Sequence, residues 1–164
     1  LADLAVHRLD LVLADAPVSP TVNVKAFNHL LGDWAVTVLA TPEIARKYRK
    51  GFPHSLNGAP MLLPAEKTSV RRSLDQWFQL NDIHPQIVAE FEDSALLKVF
   101  GQSGLGLFPA PTAIEKEIKQ QYRVASVGRL DEVRERFYAI SVERRIRHPA
   151  VVAISDVAKE SLFN

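Results

Sequence analysis

Short apolar runs alternate with helix-spaced stripes along most of the chain. Residues 9–14 (Leu-Asp-Leu-Val-Leu-Ala) are nearly continuous in apolar residues, and Pro17 and Pro20 punctuate the next stretch. That combination predicts a short buried strand. The preceding residues, with Leu1, Leu4 and Ala5 at helical spacing, predict the last turns of a helix. Residues 27–31 and 34–40 predict two strands separated by a turn at Gly32–Asp33. Pro42 suits a first helical turn, and the segment ends in Arg46, Lys47, Arg49 and Lys50 before Gly51 and Pro53. Cations complement the negative end of a helix, so a helix over residues 42–48 is expected.

Pro60 and Pro64 bracket a short strand. The strongest helix signal comes next. Val70, Leu74, Trp77 and Phe78 fall at i, i+4, i+7 and i+8 and share one face, with Thr68 or Ser69 as the cap. Residues 87–91 predict a strand. Residues 94–100 predict a helix capped by Asp93 or Ser94 and closed by Gly101. Residues 104–109 read as another buried strand. Thr112 and Glu115 have capping-box spacing ahead of the stripe Ile114, Ile118, Tyr122. Residues 124–127 and 136–142 predict two further strands. From Pro149 onward, Val151, Ile154, Ala158 and Leu162 hold helical register. Strands alternating with helices of about ten residues are the pattern of βαβ units on a parallel sheet.

Composition narrows the function. At 164 residues and a formal charge of +1, the chain is one ordinary domain or two small lobes, without the basic excess of a nucleic-acid binder. It has no cysteine, which removes disulfides, thiolate metal sites and a Cys nucleophile. No apolar run approaches membrane-spanning length, and no export signal follows Leu1, so a cytoplasmic location without membrane attachment is expected.

Five features are candidates for sites. The stretch Gly101-Gln102-Ser103-Gly104-Leu105-Gly106 lacks the Gly two places after Ser103 that a nucleophile elbow needs, and it runs from helix to strand, the reverse order. It also lacks dinucleotide-fingerprint spacing. A helix end followed by glycines permitting close backbone approach is the better reading. Thr68 and Ser69 would place hydroxyls and free N–H groups at a helix start just beyond a strand end, which suits a carboxylate or phosphate; plain capping is the alternative. Glu92, Asp93 and Ser94 form a second junction of the same kind. His7, His29, His54, His84 and His148 lack ligand spacing for zinc and are expected to be surface or structural residues. The clusters Arg71-Arg72 and Arg144-Arg145-Ile146-Arg147, the second offset by Glu132, Glu135 and Glu143, have no interleaved aromatics and are expected on a solvated face or partner contact. No catalytic set converges, so the chain is expected not to be an enzyme. The bottom-up reading is a two-lobed α/β binding scaffold.

The order of these pieces resembles the effector-binding domain of LysR-type transcriptional regulators. The resembling residues are His7-Arg8-Leu9-Asp10-Leu11-Val12-Leu13, like the family's G-x-L-D-L-A-I strand. They continue with Leu74-Asp75-Gln76-Trp77-Phe78 and Ile83-His84-Pro85. The glycine segment ending Gly104-Leu105-Gly106-Leu107-Phe108-Pro109 is like the family's A-G-x-G-I-A-L-L-P. Within the family, residues 9–20 and 78–91 are most similar to activators of sodium/proton antiporter genes.

The resemblance implies a two-lobed α/β fold, similar to periplasmic binding proteins, with Rossmann-like lobes and lobe I incomplete at its N-terminus. Residues 1–36 would belong to lobe I, 37–140 to lobe II and 141–164 to the return into lobe I. It implies a DNA-reading winged helix absent from this chain, so that DNA is contacted only through that missing part. It further implies an antiparallel dimer of regulatory domains, no cofactor, and a small effector, either a cation or an organic anion. Family positions for the effector correspond here to Asp15, Ala16, Pro17, Thr68, Ser69, Ser94 and Phe108. For a cation such as sodium, the residues offered are Asp15, Glu92 and Asp93, since hard cations take oxygen ligands. A missing first strand would leave apolar surface exposed along residues 9–13. The alternative function is a solute-binding protein of a transport system.

Overall fold

The computed structural model describes residues 4, 8–19, 26–142, 149, 152 and 153. The expected helix turns at residues 1–7 and the terminal helix from Pro149 lie almost wholly outside the described residues, as do His7 and His148. The elements are β1 (Val12–Ala14), β2 (Phe27–Ala40), α1 (Pro42–Arg49), β3 (Pro60–Pro64), α2 (Ser69–Leu80), β4 (Gln86–Phe91), α3 (Ser94–Gln102), β5 (Phe108–Pro111), α4 (Glu115–Tyr122) and β6 (Ala125–Ser141). Two compact units form: unit 1 from Leu1–Asp33 with Arg136–Asn164, and unit 2 from Trp34–Glu135. No described helix is long and apolar enough to cross a membrane.

In unit 1, β1 pairs antiparallel with β6, Val12 opposite Ile140 and Ala14 opposite Tyr138. The run at residues 9–14 is not the buried strand its composition suggests. Only Val12–Ala14 is strand, it lies at the sheet edge, and Leu9 and Leu13 are 45% and 60% exposed.

In unit 2, the second half of β2 and the middle of β3 are buried from both sides. Successive strand residues point to opposite faces. Val36, Val38 and Ala40 of β2 and Met61 and Leu63 of β3 enter one core cluster, while Leu39 and Leu62 enter another. Helix α2 covers the first face with Val70, Leu74, Trp77 and Phe78, the stripe its spacing predicts. Helices α3 and α4 cover the second with Leu97 and Ile118. Among the described residues, the only parallel pairing between named strands is β3 with β4, a βαβ unit closed over α2; β2 and β5 run antiparallel. Parallel order thus holds for one unit and not for the sheet as a whole. Leu107 joins the two sheets, bridging Met61 and exchanging backbone bonds with Pro60 and Leu62.

Four local expectations are corrected. First, residues 27–31 and 34–40 are one strand: Gly32–Asp33 makes no turn. Asp33 accepts a 2.9 Å bond from Arg136 Nε, and β2 stays paired beside β6. Second, β6 is also unbroken over 17 residues. Its buried residues Val127, Leu130 and Val133 recur every third position, which hides a strand from a search for period two.

Third, Gly101 does not end α3. It is buried inside the helix, where a methyl group would overlap the Phe108 ring; Gly104, at φ +81, takes the left-handed stop. Gly106 does allow close approach, since a Cβ there would stand 2.7 Å from the Pro60 carbonyl oxygen. Fourth, Thr112 and Glu115 form no capping box, and neither residue caps α4 through its side chain. Thr37, at 1% exposure on β2, needs hydrogen-bond partners. Its hydroxyl donates to Glu115 Oε2 at 2.9 Å and lies 3.1 Å from the Thr112 hydroxyl. Ser126 of β6 donates to the other Glu115 oxygen.

Two outcomes are expected. Gly101→Ala should destabilise the protein by about 1–3 kcal/mol, the usual cost of overpacking, and Gly101→Ala with Phe108→Leu should recover part of it. Denaturant midpoints for the two variants measure this. The second concerns acid. Partial burial raises the Glu115 pKa, but the hydroxyls of Ser126 and Thr37, with Lys119 and Arg129 nearby, outweigh it and hold the carboxyl below its ordinary value. A carboxylate lowered by folding contributes stability above its unfolded pKa and loses it as pH falls through the folded value. Wild type should therefore lose more stability between about pH 5 and pH 3 than Glu115→Gln does. Parallel pH profiles would exclude this role for Glu115.

Candidate functional site

The C-terminal ends of the parallel strands β3 and β4 lead into the N-termini of α2 and α3. Two helix starts thus lie beside one another at one edge of unit 2. Backbone bonding continues past the strands, with Ala65 N–H donating to the Phe91 carbonyl at 2.8 Å. Lys67 Nζ reaches Glu92 at 2.6 Å across the two junctions. This brings Thr68 and Ser69 together with Glu92, Asp93 and Ser94. Positive helix-end potential and free N–H groups favour an anion at such an edge.

Each side chain has a defined local setting. Thr68 caps α2: its hydroxyl donates to the Ala65 carbonyl at 2.9 Å and accepts from Arg71 N–H at 3.3 Å. Ser69 is the first helical residue and half-buried. Asp93 caps α3 by accepting from Ala95 N–H at 2.6 Å. Ser94 is exposed at the start of α3, and Lys98 Nζ lies 3.4 Å from its hydroxyl. Burial pulls the Lys98 ammonium below its ordinary pKa, with Glu135 and Asp93 partly offsetting that. Lys98 stands four residues after Ser94 on the same helix face. That spacing was the available signal for a residue sequence reasoning passed over.

Phe108 takes a different place. It is fully buried in the second core cluster with its ring beneath Gly101, so its side chain presents no surface to a ligand. Asp15, Ala16 and Pro17 follow β1 in unit 1. Each oxygen donor offered for a cation has its own setting. Asp15 belongs to unit 1, Asp93 is engaged as a cap, and Lys67 holds the Glu92 carboxyl below its ordinary range. Among the described residues no group of three or more His, Asp or Glu could hold a metal ion.

Arg71 is a further correction. It is 3% exposed, not on a solvated face. Its Nε donates to both Asp75 oxygens at 2.9 and 3.1 Å, and its Nη1 donates to Glu90 and, at 2.9 Å, to the Pro64 carbonyl. Burial alone lowers the Arg71 pKa, but these carboxylate bonds outweigh it and hold the guanidinium above its ordinary value. The planar fork ties the end of β3, the side of β4 and the first turns of α2 together, a role that suits Arg rather than Lys. Arg72 remains on the exposed side, donating to the Lys67 carbonyl. Among the described histidines, His84 pairs with Asp82 at the surface, and His29 lies 3.1 Å from the Ser141 hydroxyl.

Comparison with known proteins fixes the family. Residues 1–162 match the LysR substrate binding domain. Over 167 residues the chain is 32% identical to the transcriptional activator protein NhaR of Escherichia coli (strain K12), covering 100% of this chain and 54% of that protein. NhaR of Shigella flexneri gives the same figures. The chain spans about half the length of the curated relatives it matches. The reduced regulatory domain of OxyR2 from Vibrio vulnificus superposes with a TM-score of 0.73 at 13% identity, covering 98% of this chain and 76% of that one. The effector domain of AmpR from Pseudomonas aeruginosa gives 0.68 at 17%, again covering 98% and 76%. The fold class is that of LysR regulatory domains, the two-lobed α/β class similar to periplasmic binding proteins. The chain belongs to the LysR family, as its substrate-binding, or effector-binding, domain.

Proposed function

We propose that this chain is the effector-binding part of a transcriptional activator of sodium/proton antiporter genes that responds to sodium status. The observation that carries this reading is the 32% identity to NhaR along the whole chain. In this reading DNA is contacted by another part of a longer cytoplasmic protein, and regulatory domains pair as an antiparallel dimer. The exposed Ile87 and Val88 of β4 support self-association, because apolar side chains at an uncovered strand edge favour a partner.

The mechanism is a population shift. An effector biases the domain only by its differential affinity for two conformations, so its contacts must differ between them. The proposed contacts are Asp15, Ala16 and Pro17 of unit 1, and Thr68, Ser69 and Ser94 of unit 2. Lys98 joins them as the ammonium beside Ser94. In unit 2 the paired helix starts and Lys98 favour a small organic anion over a bare cation, because Glu92 and Asp93 already have partners. Sodium status would then reach the protein through an anionic metabolite rather than as the ion.

The test is a thermal-shift titration of the full-length protein with sodium, lithium and potassium and with a panel of small carboxylates, at matched ionic strength. A ligand of the native state raises stability by RT ln(1 + [L]/Kd), about 2.7 kcal/mol at a hundredfold excess over Kd. A rise with a carboxylate that Lys98→Met abolishes is the expected result. A rise selective for sodium and lithium and unaffected by Lys98→Met would replace the anion by the cation as effector. No response to either class would remove the effector assignment.

A further inference from the structure

A formal charge of +1 hides an uneven distribution. Residues 42–50 and 115–129 together hold eight Lys or Arg against three Glu. All eight cations are exposed. Unit 2 brings the two stretches together at Ser126, near the start of β6. Arg49 of α1 donates to the Ser126 carbonyl through Nε at 3.2 Å and Nη2 at 2.7 Å. The Ser126 hydroxyl donates to Glu115, and Lys119 of α4 and Arg129 of β6 stand 3.6 and 3.7 Å from the same carboxylate. Phe52, just past α1, lies against Gly128, where a Cβ would come within 2.4 Å of its ring. The end of α1 is thereby fixed beside β6, and cations from three elements share one face.

That face is poorly neutralised. Among the described residues, no ion pair engages Arg46, Lys47, Lys50 or Arg123. Glu115 serves Lys119 and Arg129 at once, and it already accepts from Thr37 and Ser126. Like charges three and four residues apart, as Arg46 with Arg49 and Lys50, destabilise a helix. Helix-end polarity offsets that in the last turn of α1, but it gives no reason for Arg129 on a strand or Lys116 in the first turn of α4. Tyr48 and Phe52 pack against the core, which leaves charge as the recognition element. A dense cationic face without stacking aromatics fits a polyanion held through its backbone charges.

We propose that this face is a second DNA contact, holding phosphates of the duplex beside the sequence that the DNA-reading part of the regulator recognises. DNA is the occupant because a regulator already seated on a duplex presents its other faces to phosphates at high effective concentration. This partner rests on the reading of the chain as part of a DNA-bound regulator and not on which effector binds.

Salt dependence of duplex binding by the full-length protein tests it, with a long random-sequence duplex as the probe. The logarithm of the binding constant falls with the logarithm of salt concentration by about 0.9 per phosphate contact. Arg46→Gln, Lys47→Gln and Lys50→Gln combined should flatten that slope by about two to three, and adding Arg129→Gln by about one more. The charge-conserving set Arg46→Lys, Lys47→Arg and Lys50→Arg should keep the wild-type slope, as should Arg72→Gln on α2, off the face. Melting temperatures should stay at the wild-type value, which separates lost contacts from lost folding. A wild-type slope in the neutral triple variant would overturn the proposal and leave the DNA-bound regulator standing. The same slope with reduced transcription activation would give the face to an acidic protein surface instead. Equal flattening by Arg72→Gln would mark a general charge effect and also overturn it. No duplex binding by wild type would overturn both the contact and the regulator reading.

Discussion

The covalent chain passes between its two units only along β2 and β6, which are neighbours in one sheet. Much of the structure depends on that constraint. A strand that must serve both units cannot stop for a turn, so Gly32–Asp33 stays extended and the third-residue pattern of β6 is accommodated without a break. The same two strands also supply the core of unit 2, with Val36 and Val38 on one and Val127, Leu130 and Val133 on the other. Segments that connect the units are therefore segments that build one of them.

Strands buried on both faces leave little room for unpaired polar groups. Thr37 is tolerated because Glu115 and Thr112 reach it from the α4 region. Arg71 is tolerated because Asp75, Glu90 and the Pro64 carbonyl occupy its donors. Neither group gains the solvent exposure that its residue type usually keeps. Both act as ties: Glu115 between β2 and β6, and Arg71 between β3, β4 and α2. The second tie holds together the strand ends from which the candidate effector edge emerges. Arg71 is the buried group that spans the ends of β3 and β4, from which the two helix starts emerge.

Legibility from the sequence tracked the range of the cause. The stripe Val70, Leu74, Trp77, Phe78 and the cap Thr68 are local signals, and the helix forms as they indicate. The glycine segment was readable as close packing, but which glycine packs and which turns depends on the Phe108 ring, a contact that sequence spacing does not encode. Gly32–Asp33 misleads because strand pairing overrides local turn preference. Arg71 misleads because its partners Glu90 and Pro64 come from other elements, leaving only Asp75, four residues on, visible in the chain. At the candidate site, the two helix starts were legible as strand-to-helix junctions. Their adjacency comes from parallel pairing of β3 with β4, and the removal of Phe108 from the ligand-facing set comes from tertiary packing.

Continuity of β2 through the unit boundary is the central claim, and backbone carbon chemical shifts of Leu31, Gly32, Asp33 and Trp34 in the full-length protein measure it directly. Extended-strand shifts at all four residues are the predicted result. Turn-like shifts at Gly32 and Asp33, with strand values resuming at Trp34, would contradict it and return the segment to two strands joined by a turn.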